Sequence, residues 1–156
     1  MKSLVIAVAA AGIALGAMAG QATAEQPAPD TFIVVMNADN EVPHCGPSTD
    51  AARGVAIFHV TSEAAGAVTW QLVADNLPGT ITAAHIHHAV AGVAGPVLQP
   101  LLPTPGDESG VIGTGTFTNP TLLAAIRATP AGFYVNVHST VCPSGVIRGQ
   151  FGDHGP

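Results

Sequence analysis

The sequence predicts an all-β fold, an antiparallel sandwich or barrel with one short helix. Three observations predict it. Seven or eight short runs rich in β-branched and aromatic residues are separated by clusters of Gly, Pro, Asn and Asp. Within those runs apolar residues fall at every second position, the period of a strand with one buried face. Only one stretch, TLLAAIRA after Asn119 and Pro120, has a helix opening: a side-chain cap, then a proline where no amide donor is needed.

In chain order, Thr31–Asn37 (TFIVVMN) has the composition and length of a strand. Residues 38–52 hold turn formers together with His44 and Cys45, and form a loop. Gly54–Thr61 alternates, with Ala56, Phe58 and Val60 on one face and His59 on the other. Ala67–Ala74 is a further strand carrying Trp70, which with Phe58 is expected in the core. DNLPG makes a turn, and Ile81–His88, Val97–Leu102 and Val111–Thr118 are the next strands. Pro130 stops the helix. FYVNVHS and GVIRGQF then close the chain as an antiparallel hairpin with a loop of about five or six residues.

Residues 1–24 have the pattern of a secretory signal. Lys2 gives a positive start, Leu4–Gly20 is nearly all apolar, and Ala22-Thr23-Ala24 fits a small-x-small cleavage site before Glu25. A transmembrane anchor is the alternative. The expected organisation is 1–24 signal, 25–30 flexible lead-in, 31–152 domain and 153–156 C-terminal tail. Removing the signal leaves 156 − 24 = 132 residues, enough for one domain with a real core. That remainder has no lysine and only Arg53, Arg127 and Arg148 against ten carboxylates, a net charge of 3 − 10 = −7. Such a surface suits neither nucleic acid nor anionic lipid, so neither nucleic acid nor a membrane is expected as a partner of the mature chain. In a periplasmic or secreted chain, two cysteines are expected to pair, Cys45 with Cys142; two thiolate metal ligands are the alternative.

Histidine carries the chemistry. His85 and His87, two apart on one strand, share a face, and Ile86 points the other way. On FYVNVH, Val135 and Val137 share one face and Tyr134, Asn136 and His138 the other. His85, His87 and His138 are therefore candidate ligands for copper or zinc, since neutral imidazoles suit both ions. The competing reading makes them framework, hydrogen-bonded histidines that pin strand edges. His59, His88 and His44 are candidate extra ligands, although His88 should face away from His87. His154 reads as solvated tail. Arg148 is either a cation that steers an anion toward a metal or a surface ion-pair partner. No nucleophile motif or phosphate-cradling glycine loop is present, and the carboxylates mostly fall in turns, so no catalytic residue is assigned.

The chain resembles the CHRD domain, the module named after the chordin proteins. The matching pieces are NEVP (Asn40–Pro43), RGVAIFHV, ITAAHIH followed by AGVAGPV, and the ending AGFYVNVHSTVCPSGVIRGQF. The resemblance implies an extracytoplasmic immunoglobulin-like β-sandwich and says little about activity. His88 and the two cysteines depart from the family pattern. A looser likeness runs to Cu,Zn superoxide dismutase, also a β-sandwich with an H-x-H strand, a later metal histidine and an arginine near copper. The likeness implies at most a dismutase-like oxidoreductase; its zinc cluster has no counterpart here. Two functions remain open on the sequence: a metal-binding or metal-buffering module, and a metal-free structural or adhesive module. The latter would recognise an extracytoplasmic protein or cell-surface component.

Overall fold

Burial alternates along the strands at Thr31–Asn37, Arg53–Ser62 and Ala67–Asp75, as a sheet with one face on the core requires, whereas Phe133–Ser139 and Ile147–Gln150 are covered on both faces. The computed structural model describes residues 30–101, 103 and 109–153. The expected signal segment 1–24, lead-in residues 25–29 and His154 lie outside the described residues. The strands are β1 (Thr31–Asn37), β2 (Arg53–Ser62), β3 (Ala67–Asp75), β4 (Ile81–His88), β5 (Val97–Leu101), β6 (Gly110–Thr118), β7 (Phe133–Ser139) and β8 (Ile147–Gln150). Helix α1 covers Pro120–Ala128. Asn119 caps it, its Oδ1 accepting from the Leu122 amide at 3.0 Å. Leu122, Leu123 and Ile126 turn into the core.

The fold is all-β with one short helix, built from a single eight-stranded sheet in the order β5-β4-β7-β8-β1-β2-β3-β6, every pairing antiparallel. The narrowest ladder joins β8 to β1, with Asn37 opposite Arg148. Across that joint the two half-sheets share one core. Ile86 of β4 lines the same small space as Phe58 of β2, Val68 of β3 and Phe151. Phe58 and Trp70 are buried, as the strand period predicts.

One feature differs from the sequence expectation of a five- or six-residue loop in the last hairpin. Strand β8 begins at Ile147, so the β7–β8 connection spans residues 140–146, because the Gly145 amide bonds the Cys142 carbonyl in a turn of its own. The glycine inside β8 is also structural: a Cβ on Gly149 would overlap the Val35 carbonyl of β1.

Cys45 and Cys142 form a disulfide that closes a 97-residue separation. It ties the loop after β1 to the loop between β7 and β8. A Cys45→Ser/Cys142→Ser double variant is expected to lose about 2–5 kcal/mol of folding stability, read by urea unfolding. An unchanged midpoint would contradict that role.

Candidate metal centre

The pairing of β4 with β7 builds the site. His85 lies opposite Asn136 and His87 opposite Tyr134, while His138 pairs with Ala83 further along. Ile86, Val135 and Val137 take the other face and are fully buried in the core. One ring nitrogen from each of His85, His87 and His138 comes within 4.8 Å of the others. The structure thus brings together the three histidines that strand periodicity puts on one surface.

Their hydrogen bonds set the tautomers. His138 Nδ1 lies 2.9 Å from the Pro143 carbonyl, and His87 Nδ1 lies 2.9 Å from the Gly95 carbonyl. A carbonyl only accepts, so each Nδ1 carries the proton and each Nε2 keeps its lone pair. His138 Nε2 then accepts from His85 Nδ1 at 3.0 Å. His87 Nε2 is buried with no hydrogen-bond partner. All three rings are held in the neutral form. Burial, with repulsion from His138 and His87, lowers His85 to about 4. Burial also lowers His87, against a partial offset from the Gly95 carbonyl, and lowers His138 against the Pro143 carbonyl.

The other candidate ligands lie elsewhere. His59 is exposed on β2 beside Thr31 Oγ1. His88 is exposed, its ring against Phe133 on the side away from His87. His44 sits in an exposed group with Asp39 and Asp50, at 4.0 and 3.4 Å from their carboxylates. The disulfide brings its loop over the sheet without adding His44 to the three-histidine cluster.

Arg148 differs from both roles considered for it in the sequence. Its side chain is not a surface cation; the residue is 2% exposed. Its guanidinium stacks 3.5 Å from the centre of the Tyr134 ring and donates to the Val93 and Val90 carbonyls at 2.9 and 3.0 Å. Beside it, Gln150 Nε2 donates to the Ala89 carbonyl at 2.6 Å. These two side chains fasten the 89–95 loop over the sheet, and that loop supplies the carbonyl on His87. Tyr134 joins both ends of the arrangement. Its ring stacks on His87 at 4.6 Å, and its hydroxyl accepts from the Gly95 amide at 3.0 Å.

Sequence reasoning missed Glu41, a carboxyl only 5% exposed within a segment that reads as loop. It accepts from Asn136 Nδ2, at 3.0 Å to one oxygen and 3.1 Å to the other. Burial raises its pKa to about 7, against the lowering effects of Asn136, Arg148 and the Val42 amide. The available signal was the NEVP motif, together with the placement of Asn136 on the same strand face as His138.

The family model of the CHRD domain matches residues 32–151. No curated protein matches the chain.

The depressed histidines set a direction for acid stability. Between pH 6.5 and about 4 the unfolded chain protonates at the His85 position while the folded ring stays neutral, so stability falls as pH drops through that window. Urea unfolding at pH 7 and pH 4.5 should therefore show a smaller loss in His85→Gln than in the parent chain. Equal losses in the two proteins would contradict the assignment.

Proposed function

This chain belongs to the CHRD domain family, and we propose that it binds a copper or zinc ion through His85, His87 and His138 in an extracytoplasmic setting, periplasmic or secreted. The observation that carries the reading is the pair of carbonyl-anchored rings. Pro143 and Gly95 hold Nδ1 of His138 and His87, which leaves the Nε2 lone pair of His87 free and that of His138 bonded only to the His85 ring, a bond an ion replaces once His85 carries its proton on Nε2. Backbone carbonyls that fix the far nitrogen are the usual outer support of a metal-bound imidazole. Neutral rings need no deprotonation before they ligate, so a proton competes weakly at pH 7.

Three imidazoles suit Cu(II) and Zn(II), and leave a fourth coordination position. The activity proposed is metal binding or buffering. Redox use in the manner of a dismutase draws no support from Arg148, since its guanidinium is engaged with carbonyls and Tyr134. The setting is supported by the family and by the disulfide, which suits an oxidising compartment. Among the described residues no helix is long and apolar enough to cross a membrane.

One observation favours the metal-free module. The His85–His138 hydrogen bond satisfies those two rings without an ion. A module built that way would use its surface to recognise a protein or cell-surface component.

Calorimetric titration separates the two. The disulfide-bonded protein should take up one Cu(II) or Zn(II) per chain with Kd below about 10 μM, near −7 kcal/mol, and His87→Ala should lose that binding. Weaker binding in the parent, or equal binding in the variant, would assign the histidines to framework.

A further inference from the structure

Among the described residues, two buried side-chain atoms lack a hydrogen-bond partner, His87 Nε2 and Asn136 Oδ1. Both belong to the polar face of β4 and β7, and both residues are more than nine-tenths buried, at 7% and 3% exposure. The orientation of the Asn136 amide is set by its other prong. Nδ2 has three acceptors around it: the two Glu41 carboxyl oxygens at 3.0 and 3.1 Å and the Ser144 carbonyl at 3.5 Å. The Ser144 carbonyl only accepts, and at least one Glu41 oxygen accepts whether or not the carboxyl is protonated, so the nitrogen lies there and the oxygen takes the remaining side. The β7–β8 turn holds it in place. Gly145 has φ 139°, and a Cβ there would overlap Asn136 Nδ2 and the Glu41 carboxyl.

His87 and Asn136 sit diagonally on the same polar face of the β4–β7 ladder. Neither free atom can donate to the other, because the proton of His87 sits on Nδ1 toward Gly95 and an amide oxygen only accepts. Two buried lone pairs on one polar face are unfavourable unless a positive centre or a donor lies within reach of them. His85, directly opposite Asn136 in the ladder, and His138, two residues along β7, complete the surroundings.

We infer that Asn136 Oδ1 is the fourth donor of the site, giving three imidazole nitrogens and one amide oxygen, and that the site takes a divalent ion, Cu(II) or Zn(II), in preference to Cu(I). This rests on the three-histidine reading and extends it. The preference follows from ligand softness. Cu(I) is selected by thiolate and thioether, whereas the only two cysteines of the chain are bonded to each other, and an amide oxygen is a hard donor. Glu41 has a defined part in this arrangement as a positioning residue. It occupies the amide nitrogen and so presents the oxygen.

The test compares the parent chain with Asn136→Leu, in Zn(II) titrations and in the paramagnetic resonance spectrum of bound Cu(II). Thermal unfolding of each metal-free protein checks the fold. Because Asn136→Leu leaves Glu41 buried without its partner, Glu41→Leu/Asn136→Leu, which removes both polar groups, carries the same comparison if the single variant does not fold. Asn136 as a donor predicts Zn(II) affinity reduced roughly 10- to 100-fold, with an altered Cu(II) spectrum. Unchanged affinity and spectrum would overturn the role of Asn136 while leaving the three-histidine site standing. No Zn(II) or Cu(II) uptake by the parent chain would remove both. Competition against a Cu(I) chelator tests the valence preference, and Cu(I) bound more tightly than Cu(II) would overturn it.

Discussion

A sheet face lined with histidine, asparagine, glutamine and arginine can be buried only if its polar groups find partners. That condition organises the half-sheet of β4, β7 and β8. The partners are mostly backbone carbonyls returned by loops: Gly95 to His87, Pro143 to His138, Val90 and Val93 to Arg148, Ala89 to Gln150. Arg148 is central because its fork of donors takes two carbonyls at once while its plane lies on Tyr134. A lysine there has neither the plane nor the paired donors. The loops are thus held by the side chains they cover, and the disulfide between Cys45 and Cys142 ties the one that carries Pro143 to the loop after β1.

The same condition explains where the family motifs meet. Glu41 of NEVP, Asn136 of YVNVH, Gly145 of the P-x-G turn and Arg148 of IRGQ are separated by up to about a hundred residues in the chain. In space they form one buried group. Glu41 holds the Asn136 amide, Gly145 admits both side chains by having none of its own, and Arg148 faces Asn136 across the β7–β8 ladder. The motif residues lie at the covered face of the sheet and support the histidines. The exposed strand residues Ile33, Val35 and Val111 carry no such arrangement.

Much of the fold was legible in the sequence because it rests on local periodicity. Alternation places Phe58 and Val60 opposite His59, and puts His85 and His87 on one face. The cap at Asn119 followed by Pro120 marks α1. Periodicity also assembled the three histidines, since β4 and β7 are neighbours and each presents its polar residues to the same side. What it could not reveal depends on long-range partners. Arg148 reads as one of three scarce cations on an acidic chain, and nothing local says that loop carbonyls will enclose it. Glu41 lies in a stretch of turn formers, where a carboxylate is ordinarily solvated; its burial depends on Asn136, 95 residues away. For the same reason the fourth donor was sought among His59, His88 and His44, when the adjacent unpartnered atom belongs to an amide.

The central claim is that the His85, His87 and His138 rings converge on an ion. Its most direct measurement is anomalous diffraction from crystals of the disulfide-bonded protein soaked in Zn(II). The account predicts a peak about 2.0–2.1 Å from one ring nitrogen of each histidine. A peak only at the exposed Asp39, His44 and Asp50 group, or no peak at saturating zinc, would contradict it.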